Sequence, residues 1–328
     1  CVAAIEPAAP FDVALVNRTE CTDRWLQTIW HETLEETDAE LLAVGGYGRR
    51  ELFPHSDIDL IVHVEQPANV EHKIAEFLVA LRESKQRVSH AVRTRAQFLD
   101  EIEKDLRTAA AYLDARTLVG QKNDAAIKAE VIGTLRRNDD GIAFVEWLIN
   151  GFKQRRDRTG QSVYLLEPDV KGGHGGLRDL QAIRWAAQVR FDFDPLFETV
   201  DGVWDGLQRR ELESAFECLC RIRMQLHLQN PRKTERLRFQ DQEKVADAYH
   251  GSPDRAEVER LMHDFYENVR TVRKLTERSL RSWSTPPVER RPSNTSQFQI
   301  RDGALFLDDP NLPHFVFDAL QILSLIHI

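Results

Sequence analysis

The apolar positions switch between two periods along the chain. Leu26, Ile29, Trp30 and Leu34 recur at helical spacing, and Leu41-Leu42-Ala43-Val44 then form an unbroken run of strand length. A second strand is expected at about 57–64, carrying Leu60-Ile61-Val62, and Val70, Ile74, Phe77, Leu78 and Leu81 return to helical spacing. Arg87-Val88-Ser89-His90-Ala91-Val92 reads as a third, short strand. Helix, strand, strand, helix, strand makes a small sheet unit, too short for a full doubly wound domain. From residue 97 the pattern is helical, with helices expected at 97–119, 123–136 and 140–157. Gly172-Gly173-His174-Gly175-Gly176, four glycines in five positions, excludes a regular helix, and a helix restarts at Leu177-Arg178-Asp179. Two longer amphipathic helices follow, one with Leu212, Ala215, Phe216, Leu219, Ile222 and Leu226, the other with Val258, Leu261, Met262, Phe265, Val269 and Val272. Phe298-Gln299-Ile300 and Ala304-Leu305-Phe306-Leu307 flank Asp302-Gly303 as a hairpin.

These elements predict an α+β chain: a small mixed-sheet domain followed by a mostly helical domain. The expected boundaries are an N-terminal extension at 1–21, the sheet domain at 22–120, the helical domain at 121–283 and a Ser-, Thr-, Pro- and Arg-rich linker at 284–296. The hairpin and the start of a following region occupy 297–328.

The junction of the first two strands carries the chemistry. It reads Gly45-Gly46-Tyr47-Gly48-Arg49-Arg50-Glu51-Leu52-Phe53-Pro54-His55-Ser56-Asp57-Ile58-Asp59-Leu60. Glycines let a backbone approach a triphosphate closely. Asp57 and Asp59 are two apart at a strand start, so they point to one face. Two hard oxygen anions side by side suit Mg²⁺ bridged to phosphate. The reaction that fits is attack on the α-phosphorus of a nucleoside triphosphate, with pyrophosphate leaving. Gly45 and Gly46 would set backbone N–H groups against the β- and γ-phosphates, Arg49 would add its fork of donors, and Ser56 would orient the metal site or bond a phosphate. Asp57 and Asp59 are both the metal ligands and the catalytic pair.

Composition narrows the classes. Charged residues make up 30% and hydrophobic ones 42%, the balance of an ordinary globular chain. The net charge of -9 argues against broad binding to nucleic acid. No apolar run approaches the roughly 20 residues that span a bilayer, so no membrane role is expected. Cys1, Cys21, Cys218 and Cys220 are expected to be reduced and structural, in a cytoplasmic protein. The chain begins at Cys1 rather than Met and stops in an apolar pattern, so both ends read as cut.

The string from Gly45 to Leu60 resembles the nucleotidyltransferase motif of the DNA polymerase β superfamily. Within it, the chain is similar to the bifunctional PII uridylyltransferase/uridylyl-removing enzymes. Glu167-Pro168-Asp169-Val170-Lys171 with Gly175-Gly176-Leu177-Arg178-Asp179-Leu180 resembles a second segment of that family. Arg223, Leu226-His227, Arg236-Leu237, Gln242 and Val245-Ala246 resemble its helical region, and the likeness covers about residues 22–320. The resemblance implies transfer of UMP from UTP to a tyrosine of the PII signalling protein, with Mg²⁺ as cofactor and Mn²⁺ as the alternative. Nucleotide-binding residues would be Gly45, Gly46, Arg49, Ser56, Lys171 and Arg178.

The superfamily commonly adds a third carboxylate on a later strand. The strand at 87–92 has none, and Asp105 stands as the candidate beside a plain helix-surface reading. The loop from Lys171 to Gly176 either wraps phosphate at the following helix N-terminus, or packs against the catalytic domain and positions Lys171 and Arg178 at its mouth, or is a domain-crossing turn with a salt bridge between Arg178 and a carboxylate. Residues 221–238 hold Arg221, Arg223, Arg232, Lys233, Arg236 and Arg238 against the single acid Glu235, a patch able to steer a nucleotide or an acidic partner. The family's hydrolase region is marked by His and Asp ligands. The only His-Asp pair here, His263-Asp264, lies in an amphipathic helix without companions and is read as chance. Two rival functions stand beside the transferase: a nucleotidyltransferase with another nucleotide or acceptor, such as ATP, and a non-catalytic nucleotide-binding regulatory module.

Overall fold

A four-stranded mixed sheet organises the first part of the chain. β1 (Glu40–Ala43) lies between β2 (Ile58–His63) and β4 (Arg116–Val119) and is antiparallel to both, while β3 (Val88–Arg93) runs parallel to β2 at the far edge. The computed structural model describes residues 11–285, apart from 35–36, 67–69, 122 and 160–163, together with the strands at 298–301 and 304–307.

Strand alternation separates two faces. Leu41, Ala43, Ile58, Leu60 and Val62 turn to one side, where α1 (Phe11–Leu34) and α3 (Glu71–Glu83) cover them with Leu26, Trp30, Leu34, Ile74, Phe77 and Leu81. Trp30 and Phe77 meet edge to face at 5.2 Å. Leu42, Val44 and Ile61 turn to the other side and join a larger core. That core continues through α4 (Arg95–Lys104), α5 (Leu106–Leu113), α6 (Asp124–Arg136), α7 (Ile142–Thr159), α8 (Leu177–Phe191), α9 (Gly206–Gln229), α10 (Phe239–His250) and α11 (Arg255–Trp283). The class is α+β. The described residues up to 285 form one compact unit; β5 (Phe298–Arg301) and β6 (Ala304–Leu307) pair antiparallel in a second unit. Asp302-Gly303, most of the expected linker and the apolar stretch after 310 lie outside the described residues.

Three elements depart from the sequence expectation. The single helix expected at 97–119 is two helices and a strand. Asp105 takes an extended conformation that ends α4, and its carboxylate caps α5. β4 then holds Arg116 through Asp23 (2.7 and 3.0 Å) and Thr117 through Asp124 (2.7 and 2.5 Å), so long-range partners override a helix-compatible pattern. α1 starts at Phe11, across the expected boundary at residue 21, because Ala14, Leu15, Arg18, Thr19 and Thr22 are buried along one stripe too polar to stand out. α10 went unseen because its inward face is Asp241, Gln242, Val245 and Ala246, half of it polar. Among the described residues, no helix is long and apolar enough to cross a membrane.

Candidate active site

α2 is a single turn, Gly45–Gly48, packed between the end of β1 and the start of β2. Val44 donates its N–H to the Asp59 carbonyl at 3.1 Å, which ties the turn to the carboxylate strand. Gly45 has φ +58, a conformation that favours glycine, and a Cβ there would sit 3.6 Å from Asp59 Oδ2. Gly48 admits no side chain: its Cβ would lie 2.0 Å from the Asp114 carbonyl oxygen. The tight turn therefore lies directly beside one carboxylate.

Asp57 immediately precedes β2 and Asp59 lies within it, on the face shared with Ile61 and His63. Burial and the neighbouring Asp57 charge push the Asp59 carboxyl above its ordinary range, while Lys171, Lys233 and Arg49 pull it back. Lys233 Nζ bonds Asp57 Oδ2 at 2.6 Å. Two carboxylates are thus faced by cations from the helical part of the chain.

The segment from Glu51 to Ser56 is fastened to those helices. Glu51 accepts from Arg184 of α8 at 3.1 Å. The Arg223 guanidinium of α9 lies over the Phe53 ring at 4.2 Å. A His55 ring nitrogen meets the Asn230 carbonyl at 2.8 Å. Arg223 also grips Glu235 through two bonds, of 2.8 and 2.6 Å. Burial works against the Glu235 charge, but the two hydrogen bonds from Arg223 hold its carboxyl well below the usual range. These anchors fix the approach of the chain to Asp57.

The glycine loop before α8 packs inward. A Cβ on Gly175, at φ +67, would fall 1.8 Å from the Val269 carbonyl oxygen of α11, and one on Gly173 would fall 2.4 Å from the Asp169 carbonyl oxygen. The first amides of α8 already have protein acceptors: Leu177 donates to Val170, Arg178 to Lys171, and Asp179 to Gly176. Gly175 donates to the buried Asp179 carboxylate, which Arg155 also holds at 2.7 Å. The amides that would meet an anion at this helix start are taken by the protein's own carbonyls. A bridge between Asp169 and Arg236, with Val170 donating to Glu235 at 2.8 Å, joins the loop to the 230–238 strap. The loop packs on α11 and on itself, and it joins the strap that carries Lys233. Burial, then the nearby Arg223, draws the Lys171 ammonium down to about 8.

The other expected residues fall as follows. Arg49 is already paired: its side chain is 8% exposed, bonds Glu51 at 3.0 Å and pairs with Asp114. Burial opposes its charge, and Asp114 and Glu51 more than restore it. Asp105 is exposed, and its carboxylate accepts from Arg107 and Thr108, including the Thr108 hydroxyl at 2.7 Å. That local capping role is a helix-surface position. Ser89 stands opposite Asp59 in the β2–β3 register, so β3 offers no carboxylate there, and among the described residues no cluster of three His, Cys, Asp or Glu could hold a metal. Ser56 precedes Asp57 and donates its N–H to Phe53 at 2.9 Å. Gly46 follows Gly45 in the turn, and its carbonyl accepts from Glu51 at 2.8 Å. Arg178 is exposed and acts electrostatically on Lys171. Lys233, Arg223, Glu235, Phe53 and His55 were not singled out as site residues; the basic run at 221–238 signals the first three, while Phe53 and His55 lie inside the 45–60 string.

Comparison with known proteins accords with this geometry. Residues 25–114 match the nucleotidyltransferase domain family, and residues 143–280 match the family described as GlnD PII-uridylyltransferase. Relatives named bifunctional uridylyltransferase/uridylyl-removing enzyme include one from Hydrogenovibrio crunogenus, 33% identical over 81% of this chain and 31% of the relative. Another, from Pseudoalteromonas translucida, is 35% identical over 80% of this chain and 31% of its own length. A third, from Pseudomonas aeruginosa, is 31% identical over 90% of this chain and 34% of its own length. The chain spans about a third of the length of these curated relatives. With the glycine turn and paired aspartates in the first matched segment, and the loop and helices that face them in the second, the chain belongs to the PII-uridylyltransferase family of nucleotidyltransferases.

Proposed function

We propose that this chain transfers UMP from UTP to a tyrosine of the PII nitrogen-regulatory protein and releases pyrophosphate, in the cytoplasm. The observation that carries the reading is the pair Asp57 and Asp59 beside the Gly45 turn, faced by Lys171 and Lys233. The donor set suits Mg²⁺ or Mn²⁺: two hard carboxylates on one strand face, the charge of one opposed by burial and by its neighbour. Asp57 and Asp59 would hold the ion. Once bound, it would polarise the phosphoryl oxygens and neutralise the charge that develops on them.

The chain's own groups do the rest. Gly45 and Gly46 open α2, where helix geometry leaves the first amides without intrahelical acceptors, and these N–H groups meet the polyphosphate. Lys171 and Lys233 draw the nucleotide's negative charge from the opposite wall. The anchors through Glu51, Phe53 and His55 hold the carboxylate segment against α8 and α9, so attack and departure stay in line. The helical region closes over the nucleotide and meets the acceptor protein.

Label transfer tests the reading. The purified chain, PII protein and Mg²⁺ are incubated with α-labelled UTP or α-labelled ATP, and the labelled residue is found by mass spectrometry. Uridylylated tyrosine on PII is the expected result. Label from ATP alone overturns the base assignment. Label from neither, with nucleotide still bound, overturns transfer in favour of a regulatory module.

A further inference from the structure

We propose that Lys233 is a built-in counter-ion of the aspartate pair, which a divalent cation must displace from Asp57 in order to enter. The inference rests on reading Asp57 and Asp59 as a metal pair. Lys233 Nζ occupies Asp57 Oδ2 at 2.6 Å and also acts on the Asp59 charge. Its sequence partner is far away, yet its backbone is well placed by its neighbours. Asn230 donates to Asp241 at 3.0 Å and to the Leu226 carbonyl at 2.9 Å, Glu235 is held by Arg223, and Arg236 bridges Asp169. The strap is fixed while the four-carbon stem is free to swing.

The residue type and exposure separate this pair from the structural ones nearby. Arg49 pairs with Asp114 at 8% and 3% side-chain exposure, a permanent buried fork. Lys233 and Asp57 are 32% and 43% exposed, so water and ions reach both partners. A compact point charge on an accessible carboxylate is an exchangeable contact. It holds the Asp57 carboxylate in place until a harder, doubly charged ion competes for the same oxygens. Entry of that ion releases the ammonium on the side where a nucleotide's polyphosphate would arrive.

Two measurements with Mn²⁺ as the probe test this. Binding is followed by electron paramagnetic resonance, and Lys233 reactivity by acetylation with a dilute amine-reactive ester and mass spectrometry. In the wild type, saturating Mn²⁺ should raise Lys233 acetylation several-fold; in Asp57→Asn, Lys233 should react readily with or without the ion. Lys233→Met should bind Mn²⁺ about two- to fivefold more tightly, the range expected from losing a half-exposed ion pair. If Mn²⁺ binds the wild type while Lys233 acetylation stays unchanged, or if Lys233→Met binds no more tightly, the counter-ion role is wrong and the metal pair stands. If Mn²⁺ does not bind the wild type at all, both fall.

Discussion

Replacing Arg49 with methionine should cost the fold before it costs nucleotide binding. The Arg49 guanidinium sends Nε and Nη2 to Glu51 at 3.0 and 2.9 Å and Nη1 to Asp114. Methionine fills similar volume but leaves both carboxylates short of a partner. Glu51 keeps Arg184, whereas Asp114, with a side chain 3% exposed, keeps the Trp185 indole N–H at 3.0 Å as its hydrogen bond among the described residues. Breaking one side of a buried ion pair typically costs about 3–5 kcal/mol, because the remaining charge stays desolvated. Urea unfolding followed by tryptophan emission measures the loss; Trp185, one of six tryptophans, has its ring centroid 6.0 Å from the Arg49 guanidinium and bonds Asp114. Adding Asp114→Asn to Arg49→Met should recover part of the loss, with a coupling of about 1–3 kcal/mol. Arg49→Lys should fall between, since a point charge cannot serve both carboxylates as a fork does. A methionine variant within about 1 kcal/mol of wild type, with UTP affinity lost, would refute the reasoning and return Arg49 to the phosphate.

Further outcomes follow from single residues. Lys171 has its pKa lowered from 10.5 to about 8, so its charge is present below that value and lost as pH rises through it. UTP affinity measured by titration calorimetry should therefore fall between pH 7 and 9, and Lys171→Arg should flatten the profile. The stability sign is opposite: the folded state binds fewer protons between about 8 and 10.5, so the Lys171 contribution to folding improves as pH rises through that window. Asp105→Ala should cost about 1 kcal/mol in urea unfolding through the lost α5 cap and leave label transfer unchanged; a transfer defect would mark Asp105 as the third carboxylate. Gly175→Ala should destabilise by roughly 2–4 kcal/mol, since its Cβ meets the Val269 carbonyl at a positive φ; a near-wild-type melting temperature would contradict the inward-packed loop.

Much of the site was legible because its chemistry is local. Gly45, Asp57 and Asp59 lie within one strand-turn-strand, where period-two alternation alone puts both carboxylates on one face. The pairings of Arg49 and Lys233 were not legible, because each partner lies far along the chain: Asp114 for one, Asp57 for the other. Nothing in the residue types distinguishes a buried arginine that ties a turn together from one that waits for phosphate. The glycine loop posed the same problem, since its glycines answer to the backbone of α11 and to the loop itself. Among the elements, strongly periodic helices such as α3 and α11 were plain, whereas β4 and α10 depend on tertiary partners and polar inward faces.

The central claim is that Asp57 and Asp59 are the working pair of a nucleotidyl transfer site. The most direct test is label transfer from α-labelled UTP to PII protein by Asp57→Asn, Asp59→Asn and the double variant, each confirmed as folded by circular dichroism. The account predicts that each single variant loses transfer by at least about a hundredfold, and the double variant no more than the worse single one, since the residues act as a unit. Substantial transfer by the folded double variant would contradict it.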